Sequence, residues 1–430
     1  MAVGDVVALR IRALASSGAG LAELPDGRVA FVQRAAPGDL VEARVRRLRP
    51  RWGQAELLRV LEPGPARVEA PCPHYQRCGG CTLQHLEYDE QRAWKARFVA
   101  DAMARIGGTD VAAPEVVASP ERLRYRNRVT FTVRRLSPKR VLAGFHALED
   151  PARVVDVDHR CLLPEPAIGE AWGALRAALR AGAPALLPPA RELRVTLRAL
   201  EGGGVVALVR GGAPGWDPAP LAEGVPGVVG VWHWADGAAT AVHVAGEAFL
   251  ETWGEERVPV GGQAFLQVNR AAAAPLAAHV LAQAGAAGPA VDAYCGVGVY
   301  GRALARAGWT VTGIEVDADA CAAARHGAPE GFRVVAGRVE ERLADVLPAG
   351  LVILNPPRTG LHGDIPPQLL RHHPPRVVYV SCDPATLARD ARRLADAYAL
   401  ASLRGFDLFP QTSHVETVAV FTLRGSGGRA

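Results

Sequence analysis

The sequence predicts an α/β domain built on a parallel sheet from about residue 255, preceded by a small N-terminal β-barrel and a central α+β region. Three observations carry this reading. From 290 onward, apolar runs alternate with helical patterns, as in a parallel sheet covered by helices. The first stretch of chain breaks into short apolar strands at turn signals such as Pro25-Asp26-Gly27-Arg28 and Pro37-Gly38-Asp39. Between them lie three closely spaced cysteines, then short strands, Gly- and Pro-rich turns and one Ala-rich helix. The expected boundaries are 1–62, 63–254 and 255–430, with residues 87–118 able to pack on the last domain.

Size and composition bound the alternatives. A chain of 430 residues suggests two or three domains at roughly 150 residues each. Hydrophobic residues at 49% and charged residues at 22% exclude a disordered tail protein. No 18-residue stretch is free of charges and Gly/Pro interruptions, so no transmembrane helix and no membrane partner are expected. The opening Met1-Ala2-Val3-Gly4-Asp5 lacks a basic n-region and an apolar h-region, and the expected location is cytoplasmic. A net charge of +5 permits a nucleic-acid partner without demanding one. Of 49 basic residues only Lys95 and Lys139 are lysines, a skew read as genome composition and not as function. Seven cysteines, an odd count, put metal or catalytic roles ahead of structural disulfides.

Taken in order, 3–7, 29–32 and 40–45 read as strands of a barrel of oligonucleotide-binding type. Arg44, Arg46, Arg47, Arg49 and Arg51 beside Trp52 can track phosphates and stack a base. The same charges equally suit a solvated edge strand. Pro63-Gly64-Pro65 reads as a linker, and a helix is expected near 87–105. Residues 122–135 read as a basic strand with Arg124, Arg126 and Arg128 on one face. A helix is expected near 167–181. Strands follow at 290–294, 310–315, 332–335, 351–354, 377–380 and 417–421, with helices such as 301–307 and 385–397 between them.

The first of these strands runs into Asp292-Ala293-Tyr294-Cys295-Gly296-Val297-Gly298, and Glu315 ends the second. Glycines at such a turn let a ligand approach the backbone, and an acid after the next strand can bind ribose hydroxyls. The loop lacks the basic residue and Ser/Thr of a phosphate cradle. An uncharged glycine loop headed by Asp suits S-adenosylmethionine better than NAD.

Four segments carry a family resemblance. Asn355-Pro356-Pro357-Arg358, Ser381-Cys382-Asp383-Pro384-Ala385-Thr386 and Phe409-Pro410-Gln411-Thr412-Ser413-His414-Val415-Glu416 resemble successive motifs of the bacterial RNA uridine-5-methyltransferases. Gln263-Ala264-Phe265-Leu266-Gln267-Val268-Asn269 resembles the motif that opens their catalytic domain. The likeness covers nearly the whole chain, since the N-terminal barrel is similar to their TRAM domain. It implies a Rossmann-like methyltransferase fold and RNA as partner, with 23S ribosomal RNA expected, transfer RNA the alternative, and a monomer the default. It further implies that Gln267, Tyr294, Glu315 and Asn355 contact S-adenosylmethionine, while Arg358 and Phe265 hold the uracil.

The residues support that chemistry. Cys382 follows an apolar strand and precedes a helix capped by Asp383 and begun by Pro384, so a helix dipole can favour its thiolate. Thiolate addition at uridine C6 turns C5 into an enolate carbon able to accept a methyl group. A base must then take the C5 proton; the resemblance assigns this to Glu416, with His414 the competitor on ordinary pKa. Reaching C5 and C6 requires the base out of its stack. Two positions depart from the family pattern: Asn355 stands where Asp is frequent, and Val299 where Asn is frequent. Asn-Pro-Pro also resembles amino-methyltransferases, but Arg358 occupies the place of their aromatic residue.

Cys72, Cys78 and Cys81 are spaced C-x5-C-x2-C, with Cys161 far downstream. Four thiolates can hold zinc or an iron–sulfur cluster. The spacing resembles the 4Fe–4S site of the ribosomal-RNA branch of the family, which implies a structural cluster in the central domain. Cys295 and Cys321 read as packing residues. The rival of another class is an RNA-binding iron–sulfur protein without catalysis, prompted by Asn355 and Val299.

Overall fold

A computed structural model describes residues 1–137, 140–246, 250–253, 256–259 and 266–425. The N-terminal unit contains β1 (Val6–Arg10), β2 (Ala13–Leu14), β3 (Gly20–Glu23), β4 (Val29–Val32), β5 (Leu40–Leu48) and β6 (Trp52–Glu62). They form one sheet in the order β1-β5-β6-β4-β3-β2. Alternation along β5 turns Val41, Ala43 and Val45 into a core with Leu9, Ala30 and Val32. Its other face carries charge: Arg46 pairs with Glu56, Arg59 with Glu42, and Arg47 lies over the Trp52 ring.

After the cysteine segment comes α1 (Tyr88–Ala102), which closes in a π-helical turn, and then the short β7 (Val116–Val117). The central sheet comprises β8 (Arg128–Ser137), β9 (Arg140–His146), β10 (Val154–Asp156), β11 (Glu192–Ala199), β12 (Val205–Arg210), β13 (Val228–Trp234) and β14 (Val242–Gly246). Helix α2 (Pro166–Arg180) covers it, with Trp172 stacked on Phe131 at 3.8 Å between ring centres. Helix α3 (Ala219–Gly224) packs nearby, and β15 (Leu250–Trp253) pairs with β16 (Glu256–Pro259). The expected basic strand needs correction, because pairing begins only at Arg128. Arg124 has φ 55°, and Arg126 is tied by its backbone to Leu163 and Glu165. Its guanidinium is buried over Tyr125 and Phe409 instead of joining a solvent face.

The C-terminal unit has α4 (Arg270–Ala282), β17 (Pro289–Ala293), α5 (Val299–Arg306), β18 (Thr310–Glu315), α6 (Ala318–Arg325) and β19 (Phe332–Ala336). It continues with α7 (Val339–Arg342), β20 (Leu351–Leu354), α8 (Ile365–His372), β21 (Arg376–Ser381), α9 (Pro384–Leu394), β22 (Tyr398–Phe406) and β23 (Glu416–Leu423). The sheet runs β19-β18-β17-β20-β21-β23-β22-β7. Strands β17 to β21 are parallel, and β23 slots antiparallel between β21 and β22. Chain order climbs outward from β17 on one side and from β20 on the other. That reversal opens a crevice at the carboxyl ends of the strands, where ligands bind in such sheets.

The segment before the central sheet is built into this unit. Strand β7 completes the sheet edge beside β22, and α1 packs on α9. Lys95 of α1 donates to Asp407 at 2.6 Å and to the Phe409 carbonyl at 3.1 Å, with both charged side chains fully buried.

Candidate active site

The crevice at β17 and β18 is shaped by its turn. Tyr294 has φ 61° and Gly298 φ 86°, so the backbone bends sharply before α5. Asp292 accepts from the Gly301 N–H at 2.8 Å, anchoring the start of that helix, and burial pushes its carboxyl up to about 7. A Cβ on Gly301 would meet the Phe332 ring at 2.4 Å, so only glycine lets α5 lie this close to β19. Glu315 accepts from Gly296 N at 2.9 Å, Val316 N at 2.7 Å and Asp317 N at 2.8 Å. A carboxylate offers about four lone-pair sites, so this one is fixed in place with capacity left for a ribose hydroxyl.

Three further features suit a nucleoside cofactor here. Gln267 Oε1 is buried with no hydrogen-bond partner among the described residues. Val316, directly after Glu315, is 64% exposed and presents an apolar surface that a purine can cover. Asn355 follows β20, the strand beside β17, and its N–H donates to the Ala293 carbonyl at 3.3 Å. The residues present therefore fit S-adenosylmethionine. Phe265 lies outside the described residues, as do residues 261–264.

Further along the same sheet edge, Cys382 and Glu416 come together. Ser381 pairs with Thr417, so Cys382 leaves β21 beside the point where Glu416 enters β23. Glu416 is 4% exposed, and burial lifts its carboxyl to about 7 against the opposing charge of Arg358. Burial pushes the Cys382 thiol up to about 11; Glu416 adds to that rise and Arg358 counters it. This corrects the expectation of a dipole-stabilised thiolate. The first free N–H groups of α9, those of Ala385 and Thr386, are both taken by the Asp383 side chain at 2.9 and 3.0 Å. His414 is lowered to about 4 by burial and by Arg358, Arg126 and Lys95. That makes it a weaker base at neutral pH than Glu416. Asp390 steadies the loop carrying Arg358, accepting from Leu361 N at 2.8 Å and from the Tyr379 hydroxyl at 2.9 Å.

Cys72, Cys78, Cys81 and Cys161 line one small cavity with His74, Tyr75 and Gln84. All four are buried and free of disulfides. Burial pushes Cys78 up to about 11 and Cys161 up to about 12, and raises Cys81 as well. Such thiols are held neutral unless a cation takes their protons' place. Among the described residues, no three His, Cys, Asp or Glu side chains stand close enough together to hold a single metal ion. Cys295 and Cys321 are buried packing residues at the β18 edge; a Cβ on Gly313 would press on the Cys295 sulfur at 2.8 Å.

Sequence reasoning missed two residues. Val316 carries only a weak signal, an apolar residue just after the acid. Gln411 entered only as one residue of a quoted motif, and its left-handed backbone (φ 68°) shows only in three dimensions.

Comparison with known proteins places these features. The family model for tRNA (uracil-5-)-methyltransferase matches residues 337–424, and that for the TRAM domain matches residues 2–58. A protein of Gloeobacter violaceus described as an uncharacterised RNA methyltransferase is 36% identical over 97% of this chain and 96% of its own length. A similarly described protein of Halalkalibacterium halodurans is 32% identical over 98% and 97%. The solved Pyrococcus abyssi tRNA (uracil-54, C5)-methyltransferase, in complex with S-adenosyl-L-homocysteine, superposes with TM-score 0.75 at 27% identity. It covers 97% of this chain and all of the other. Among the described residues, no helix is long and apolar enough to cross a membrane.

Proposed function

The chain belongs to the S-adenosylmethionine-dependent RNA (uracil-5-)-methyltransferases, and on that footing we propose that it methylates a uridine of 23S ribosomal RNA through a covalent Cys382 adduct. The observation that carries the mechanism is the adjacency of Cys382 and Glu416 at the end of the β21–β23 ladder. Cys382 releases its thiol proton to solvent, the thiolate adds to C6 of the extruded uracil, and the electron pair of the C5=C6 bond moves onto the C4 carbonyl as an enolate. Arg358, facing both Cys382 and Glu416, draws the thiol toward its charged form and holds the uracil edge. Bound S-adenosylmethionine supplies an electrophilic methyl group to C5. Gln267, Tyr294, Glu315 and Asn355 are the residues that would hold it in the crevice beside the uracil site. Glu416 then takes the C5 proton, the C5=C6 bond re-forms, and the Cys382 sulfur leaves. A carboxyl held near 7 suits that proton transfer at neutral pH.

We propose that Cys72, Cys78, Cys81 and Cys161, which line one small cavity, would hold a structural 4Fe–4S cluster. Their likeness to the ribosomal-RNA branch is what favours 23S RNA. The likeness to the Pyrococcus abyssi enzyme favours a second reading, the T-loop uridine of transfer RNA. A cytoplasmic monomer suits either substrate. Incubating the protein with labelled S-adenosylmethionine and separated, unmodified 23S and transfer RNA decides. Label in transfer RNA alone overturns the ribosomal assignment, and label in neither overturns both.

A further inference from the structure

The loop between β22 and β23 ends at Glu416, yet its apex is bonded to other parts of the chain. Gln411 is 8% exposed and keeps φ 68°, a conformation costly for a residue with a Cβ. Each of its polar groups bonds outside the loop. Its N–H donates to Gln91 Oε1 at 3.0 Å, and its Oε1 accepts from Gln91 Nε2 at 3.1 Å. Its Nε2 donates to the Arg122 carbonyl at 3.2 Å. Its carbonyl accepts from both Thr82 N and Leu83 N at 2.9 Å. Two residues on, Ser413 N donates to Thr82 Oγ1 at 3.2 Å.

Thr82 directly follows Cys81, which lines the cysteine cavity. A short backbone connection therefore joins that cavity to the loop delivering the base. The rest of the loop has little slack: Thr412 N and Oγ1 both donate to the Phe409 carbonyl, and His414 N donates to Thr412 Oγ1. Tyr125 donates to the Pro410 carbonyl at 3.0 Å, closing the loop from the side of the central sheet. A displacement of residues 81–83 has few ways to dissipate before it reaches Glu416.

We infer that Gln411 is a positioning residue: it transmits the placement of residues 81–83 to Glu416, so that order in the cysteine cavity governs removal of the C5 proton. The inference rests on Glu416 as the base and names what sets its aim. A merely structural Gln411 predicts something different. Replacing it with glycine relieves the positive φ and keeps the carbonyl that accepts from Thr82 and Leu83. It removes only the side-chain bonds to Gln91 and Arg122. Backbone relief then favours the fold while the aim of Glu416 is lost.

The test compares wild type, Gln411→Gly and Thr82→Val, the last removing only the hydroxyl that holds Ser413. Calorimetric S-adenosylmethionine affinity and the rate of adduct formation on 5-fluorouridine RNA should stay near wild type in both. Elimination should slow by about 100-fold in Gln411→Gly, the scale of a misplacement near 1 Å, and less in Thr82→Val. A methylated covalent intermediate should then accumulate on fluorine-free RNA. Amide exchange across residues 409–416, measured without RNA, should quicken in both variants and in Cys81→Ser. Unchanged elimination and exchange in Gln411→Gly, with wild type turning over, overturns the inference. If wild type forms no adduct, the uridine reading has failed instead, and unchanged exchange in Gln411→Gly and Cys81→Ser still overturns the link.

Discussion

Cys382 and Glu416 occupy the rung just past the paired Ser381 and Thr417, so the proposed nucleophile and the proposed base share one end of one β-ladder. An antiparallel register fixes both at once, and neither can shift without slipping the strand. Their charges also act on each other, since Glu416 raises the Cys382 thiol. In the proposed mechanism, adding the sulfur to uracil removes that cost, which links its two steps.

Cys382→Ala should abolish the covalent adduct with 5-fluorouridine RNA and leave S-adenosylmethionine affinity nearly intact. Gel retention of labelled RNA under denaturing conditions reads the first, and calorimetry the second. An adduct persisting in the variant would assign the nucleophile elsewhere.

Glu416→Gln should let addition and methyl transfer proceed but stall elimination, leaving a methylated covalent intermediate that His414→Ala does not leave. The elimination rate in wild type should rise with pH through about 7 as Glu416 ionises. Stability should move the opposite way. The folded pKa lies above the ordinary 4.5, so the native state binds the extra proton and loses stability as pH climbs through about 7. Between acid and about pH 8, wild type should lose up to about 3 kcal/mol that Glu416→Gln keeps. Urea denaturation of both proteins at two pH values measures it.

Lys95→Met should destabilise the protein by about 3–5 kcal/mol, because it strands the buried Asp407 carboxylate. Lys95→Met with Asp407→Asn should recover much of that loss. Denaturation midpoints of wild type, Lys95→Met, Asp407→Asn and the double variant test the coupling, and equal effects of Lys95→Met and the double variant would refute it.

Gly301→Ala should cost about 1–3 kcal/mol of stability through overpacking against Phe332. It should also weaken S-adenosylmethionine binding, since α5 carries the turn that faces the cofactor. Calorimetry of a variant that still melts cooperatively separates the two effects.

Protein purified without oxygen should be brown and carry about four irons per chain. Colour and iron should disappear on replacing any of Cys72, Cys78, Cys81 or Cys161. Stoichiometric zinc without visible absorption would refute the cluster.

Much of the C-terminal unit was legible because its strands are apolar runs ended by polar turns. Those at 310–315 and 351–354 fall where the pattern placed them. Strand β22 was missed, because Tyr398–Phe406 mixes Ser402 and Arg404 with small residues and shows no alternation of buried and exposed positions. Tertiary pairing to β23 makes it a strand. The positions of Cys382 and Glu416 at strand ends were legible, since each adjoins an apolar run. Charge state could not, because it depends on burial, and burial reversed the expectation for Cys382. Arg124, Arg126 and Arg128 misled for a related reason, as period two implies a shared face only where the backbone is extended.

A Cys382 thiol held at about 11 is almost wholly protonated at neutral pH. Thiols in that form react slowly with peroxide and alkylating agents. With the α9 amides turned to Asp383 and Glu416 alongside, the Cys382 sulfur should react slowly in the free protein. Oxidative inactivation should therefore be slow in the free protein, and the proposed nucleophile is one that its own substrate must awaken.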